Sequence, residues 1–274
     1  MLGLGIGLNR GGNRKWNPTM LGDCLVWLAA DYGVTKDGSD NVVEWENRGN
    51  SGENFHQLTV PADRPLWEDN AQNGLPGIKF AAGEFMRHGE NAGAGVGFPN
   101  DGGEATILAA FIPPKVVASG AAGIFSKWRV DSAYRSVTLN LYNTSTADFS
   151  VRGMLSDNGT NWVLDDSTDE YDEDCGAMWA FMQTRCSTQE MRAGVDDAEG
   201  YTRSSYYDTV NYDAAIPAYL GAYYMSNNTT PVDHMDKTLL EVVYINKRLE
   251  WADIAKFGAY VEGKWGITQP VAAK

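Results

Sequence analysis

The chain has 274 residues, a formal net charge of −14 at pH 7, 43% apolar residues and three cysteines. An acidic body of this kind repels polyphosphate and anionic lipid, which argues against nucleic acid and membrane as partners. No apolar run reaches the length of a membrane span, and the odd cysteine count argues against a disulfide framework. Cys175 and Cys186 bracket a predicted strand that holds them roughly 30 Å apart when extended, beyond disulfide reach. The chain therefore reads as one made without need of oxidation. Thirty glycines and few long helical patterns favour short strands joined by turns, in one large all-β domain.

Residues 1–20 stand apart. They hold five glycines in the first twelve positions, then Arg10, Arg14 and Lys15, and no Asp or Glu. This composition predicts a flexible, basic docking arm. Leu2, Leu4, Ile6 and Leu8 alternate with glycine, so in an extended segment their side chains share one face and the other face is bare backbone. Such a strip suits addition to a partner's sheet edge. Arg10, Arg14 and Lys15 then meet the acidic body of a neighbouring copy. The segment is too short and glycine-rich for a signal peptide, and no basic residue precedes its apolar part.

The globular part begins with Cys24 to Ala30, an apolar strand. Asp37 to Asp40 is a turn by composition. Val43 and Trp45 alternate with Glu44 and Glu46, a half-buried strand, and Asn47 to Gly52 is a loop. Ala105 to Ile112 is apolar on both faces and is stopped by Pro113 and Pro114; Ala122 to Trp128 is another strand. In Arg135 to Tyr142, Val137, Leu139 and Leu141 alternate with Ser136, Thr138 and Asn140, which predicts one face in and one out. Phe149 to Leu155 and Asn161 to Leu164 form a predicted hairpin, and Met178 to Thr184 pairs with Glu190 to Val195. Tyr219 to Tyr224 is a further strand. The chain closes with a strand, Leu239 to Ile245, apolar on both faces except for Glu241. A strand of this kind is central and covered on both sides. An amphipathic helix follows, with Trp251, Ile254, Ala255, Gly258, Val261 and Trp265 at helical spacing.

Several clusters of polar side chains bear on chemistry. The loop Asp165 to Asp174 is dense in carboxylates and offers the oxygen ligands that calcium needs, but lacks the spacing of a dedicated calcium loop. Without calcium it is a solvated acidic loop, and no other cofactor is indicated. Glu170 and Glu173 lie three apart, on opposite faces of a strand, whereas glycoside hydrolysis needs two carboxyls facing one sugar. His56, His88 and His234 show no metal-ligand spacing, and no nucleophile motif is present. The tyrosines between Tyr201 and Tyr224 either pack in the sandwich or offer a surface for sugars or protein.

Certain segments resemble a known family. Leu25 to Asp31, Trp45 followed by Asn47 to Gly52, Arg64 to Trp67, Asn73 to Phe80, Glu241 to Leu249 and Lys264 to Ile267 are similar to laminin-G-like, concanavalin-A-like jelly-roll domains of the kind found in bacteriophage structural proteins. Ala29 and Glu250 depart from the pattern, the first at an acidic position and the second where a Ser or Thr cap is common. The resemblance implies a two-sheet antiparallel jelly-roll sandwich over residues 21–270 with one C-terminal helix, and a short tail, 271–274. It implies a calcium site at a rim loop in some members. The function expected is that of a non-enzymatic virion component, such as a capsid decoration, head fibre or tail-associated module, with weak glycan binding. The partners expected are its own copies, as a trimer or other homo-oligomer, capsid or tail subunits through the arm, and a host surface glycan. The protein is then made in the host cytoplasm and ends in the virion. The alternatives are a carbohydrate-binding or adhesion module of a bacterial surface protein and, less favoured by the carboxylate spacing, a glycoside hydrolase.

Overall fold

A computed structural model describes residues 15–88, 103–114, 121–128, 135–143, 148–156, 163–166, 170–172, 175–195, 201–204, 217–222, 224–225, 231–232 and 236–267. Two antiparallel sheets of eight and ten strands lie face to face, with a small two-stranded sheet beside them. This is the expected sandwich. The organising strand is Lys237–Ile245, buried at all nine positions. One of its edges pairs with Glu104–Ile112. The other is shared end to end by Leu75–Phe80, opposite Lys237 to Leu239, and Cys24–Ala29, opposite Glu241 to Ile245. Met178–Arg185, Glu190–Val195 and Tyr201–Ser204 extend the sheet beyond Glu104–Ile112.

The period of two divides the central strand between two layers. Tyr244 faces the second sheet and stacks on Phe125 at 5.6 Å. Trp45, Phe55, Phe80, Leu139 and Phe149 are fully buried in the same core. The odd positions, from Glu241 to Ile245, face a third layer. That layer is the terminal helix, Trp251–Trp265, whose Ile254, Phe257, Val261 and Trp265 are buried. Phe257 packs edge-on against Trp179 at 5.7 Å, and Trp251 against Phe181 at 5.4 Å. The helix begins after Glu250, which stands in extended backbone and gives no side-chain cap, and it ends on Gly266 in the left-handed region at φ 65°.

Two strand expectations are corrected. Arg135–Asn143 does not have a wet face: Ser136, Thr138 and Asn140 are as fully buried as Val137, Leu139 and Leu141. Alternation shows which face is apolar, not whether the other is covered. Tyr219 to Tyr224 is not one strand. Tyr219–Leu220 pairs with Ala121–Trp128 and Met86–His88, after which Gly221 turns at φ 86°. The three cysteines are free thiols, and burial pushes the Cys24 thiol up to about 12.

A candidate ligand cleft beneath the terminal helix

The acid that interrupts the last strand is the centre of the third layer. Glu241 has no exposed surface. Its Oε1 accepts a hydrogen bond from the Trp27 indole at 2.6 Å, and its Oε2 accepts from the Trp265 indole at 2.9 Å and from Lys264 Nζ at 3.1 Å. Lys264 also pairs with Asp31 at 2.7 Å and donates to the Tyr260 hydroxyl at 3.2 Å. Burial, followed by the Glu241 charge, holds the Tyr260 phenol well above its usual range. A buried carboxylate survives only when its lone pairs are filled, and here an ammonium and two indoles fill them. The network ties the first strand, the last strand and the helix together.

Directly outside it opens a cleft of about 900 Å³. Trp16, Trp27 and Tyr260 form its apolar walls, with Lys15, Asp31, Arg48, Lys256 and Lys264 among them. Trp16 meets Tyr260 at 5.4 Å, with ring planes tilted by 59°. The chain is held there by a short 3-10 turn, Pro18–Leu21, whose N-cap Asn17 accepts from the Thr19 backbone N–H at 3.1 Å.

The far wall is set by the Asn47 loop. The Asn47 side-chain oxygen Oδ1 accepts from the backbone N–H groups of Trp27 and Gly49, both at 2.8 Å, and its Nδ2 donates to the Leu25 backbone carbonyl at 3.0 Å and to Ser51 Oγ at 2.6 Å. Gly49 sits so close to Leu25 that a Cβ would land on that carbonyl. The loop thereby lays the Arg48 guanidinium over Trp27 at 3.7 Å and over Tyr32 at 4.3 Å. Arg48 is exposed, and no carboxylate or carbonyl among the described residues engages its guanidinium.

Of the residues singled out in the sequence, Lys15 lies at the mouth of this cleft. Leu2, Leu4, Ile6, Leu8, Arg10 and Arg14 lie outside the described residues. So do Ser167 to Asp169, Glu173 and Asp174 of the acidic loop; Glu170 and Asp172 are exposed around a buried Tyr171. Among the described residues no three His, Cys, Asp or Glu side chains group as a metal site. His56 and His88 do come to neighbouring strands, with Phe55 opposite His88, so the two rings project to opposite faces of the sheet. His56 meets Glu44 at 3.2 Å and His88 meets Ser51 at 3.0 Å. Tyr219 is buried against Phe85. The sequence reading missed Glu241, Arg48 and Tyr260 as members of one site. The Asn47 to Gly52 loop, read as a family feature, was the available signal.

No family model and no curated protein matches the sequence. Solved structures do match. The chain is similar to the binding domain of Paraclostridial Mosquitocidal Protein 1, with a TM-score of 0.58 and 9% identity over 87% of this chain and 52% of that one. It is similar to the botulinum neurotoxin serotype D ligand binding domain in complex with N-acetylneuraminic acid, at a TM-score of 0.54 and 9% identity, covering 91% and 54%. A third is a botulinum neurotoxin type C structure whose cell entry is described as dependent on two ganglioside molecules, at 0.54 and 9%, covering 89% and 53%. The likeness is one of fold. This chain spans about half the length of each of these structures, and the likeness covers 87–91% of it.

Proposed function

We propose that this chain is a non-enzymatic glycan-binding module and that the sugar sits in the cleft beneath the terminal helix. The observation that carries the reading is the packing of Trp16 against Tyr260 in the lining of an open cleft with polar groups beside them. Aromatic rings offer the flat apolar surface that the C–H face of a sugar ring covers, and the edges of the cleft supply hydrogen-bond partners for hydroxyls. The ligands named for the similar structures, N-acetylneuraminic acid and gangliosides, support a sugar as ligand. Among the described residues Asp31 is the one carboxylate lining the cleft, and Glu241 behind it is buried with both oxygens engaged; since hydrolysis needs two carboxyls across one bond, this favours the binding reading over a hydrolytic one.

The setting we propose is a bacteriophage virion, with the module held as a decoration, fibre or tail-associated component and the arm, residues 1–20, docking it to its own copies or to a capsid or tail subunit. That setting rests on the sequence resemblance and on the arm's composition. The same cleft serves an adhesion module of a bacterial surface protein equally well, and the binding test is common to both. Saturation-transfer NMR against a glycan panel is expected to detect binding that Trp16→Ala weakens about tenfold or more, since a side chain lost from an aromatic platform costs on the order of 1–3 kcal/mol. A glycan bound equally by the wild type, Trp16→Ala and Tyr260→Phe,Trp16→Ala would place the site elsewhere.

A further inference from the structure

We infer that the cleft selects a carboxylate-bearing sugar and that Arg48 is the residue that reads the carboxylate. The inference rests on the cleft being a glycan site and goes on to name the class of glycan. On a chain of net charge −14, four of the described residues lining the cleft are basic (Lys15, Arg48, Lys256 and Lys264) and one is acidic. Two of the cations are already spent within the protein. Lys264 is held by Asp31 and Glu241 at 2.7 and 3.1 Å, and Lys256 by Asp253 at 2.7 Å. Arg48 is different. Its guanidinium lies flat on two aromatic rings at 3.7 and 4.3 Å, fixed in place by the Asn47 loop, and it has no carboxylate partner among the described residues.

Stacking orients a guanidinium without using its N–H groups, so its planar fork stays available for two parallel bonds to a planar acceptor. A carboxylate matches that fork. A neutral hydroxyl can take only one of the two bonds. The pre-set orientation also lowers the conformational cost of binding, because the long side chain is ordered before the ligand arrives. The sugar ring then lies toward Trp16 and Tyr260, and the carboxylate toward Arg48.

The test compares sialyllactose with lactose and oligogalacturonate with its methyl ester, by titration calorimetry or NMR on the full chain. The expected result is a preference of about tenfold or more for the acidic member of at least one pair. Arg48→Gln is expected to lower acidic-sugar binding about tenfold or more and so abolish that preference, and Arg48→Lys to restore little of it, since charge without the fork does not suffice. Trp16→Ala is expected to weaken acidic and neutral sugars alike. Equal binding within both pairs, or a preference that survives Arg48→Gln, overturns the inference and leaves the glycan site standing. A sulfated lactose that binds as well as sialyllactose overturns the carboxylate assignment. Failure of every sugar to bind overturns both readings. An unchanged unfolding midpoint for Arg48→Gln shows that lost binding is not lost fold.

Discussion

Glu241 has three donors and no exposed surface. Removing its carboxylate leaves two indole N–H groups and an ammonium without their buried acceptor. Glu241→Ala is therefore expected to lower the unfolding free energy by about 3–5 kcal/mol, the range for breaking a buried charge pair from one side. Glu241→Gln keeps one acceptor but turns an NH₂ toward a donor, and about 2–4 kcal/mol is expected there from a buried polar mismatch. Urea unfolding at constant m-value measures both; a loss below about 1 kcal/mol for either would mean that the layer is wet. Lys237 gives a pH dependence. It is buried, donates to the Gly221 carbonyl at 2.9 Å, and burial brings its pKa down to about 7 from 10.5. Between those two values the unfolded chain holds the proton and the folded chain gives it up, so stability rises with pH from about 7 to 10.5. Below about 7 both states are protonated and the full cost of burying the charge is present. Replacing it in Lys237→Met is expected to stabilise the protein most at neutral pH, with the advantage shrinking toward pH 10.5, as read by thermal melts across that window.

At the scale of elements, two glycines decide close approaches. In the helix, a Cβ on Gly258 would lie 2.8 Å from Trp179 Cζ2. Alanine gains about 1 kcal/mol of helix propensity over glycine, but forcing the helix off Trp179 costs about 1–3 kcal/mol by overpacking. Gly258→Ala is thus expected to be net destabilising, with a lower denaturant midpoint, and a raised midpoint would show that the helix rides more loosely on its sheet. In the Asn47 loop the obstacle at Gly49 is backbone rather than a side chain, so relief requires moving the strand Cys24–Ala29 itself. Gly49→Ala is expected to shift Arg48 off Trp27 and to weaken acidic-sugar binding together with stability. Arg48→Gln, by contrast, is expected to affect binding alone.

For the whole molecule, the decisive experiments are two truncations. Trp16 packs on Tyr260, and Leu21 is 5% exposed, so residues 15–21 belong to the folded body and to the cleft wall. A chain starting at Lys15 is expected to keep its melting temperature and its sugar binding; loss of assembly or of particle binding would then be assigned to residues 1–14, as the docking proposal requires. A chain starting at Leu21 keeps the two sheets but lacks a cleft wall, and its sugar binding is expected to fall about tenfold or more while the circular dichroism stays the same. If both truncated chains assemble like the full chain, the arm is no anchor.

The sequence determined what depends on neighbours along the chain. The apolar run Leu239 to Ile245 could only be a covered strand, and the last helix announced itself by spacing, although Phe257, three residues after Ile254, was left off its buried face. Asn73 and Gly74, with φ of 51° and 74°, form the turn that their residue types favour. Tertiary structure decided everything that joins distant positions. Trp27 and Glu241, 214 residues apart, meet because the first and last strands are antiparallel partners, and no periodicity in either segment records the other. Read locally, Glu241 was an interruption in an apolar run; in three dimensions it is the acceptor on which two tryptophans and a lysine converge. Likewise Arg48 was one residue of a polar loop until the fold set Trp27 beneath it. Local sequence encodes dihedral preference and burial pattern, whereas a site is made of contacts whose partners are chosen by strand register and layer packing.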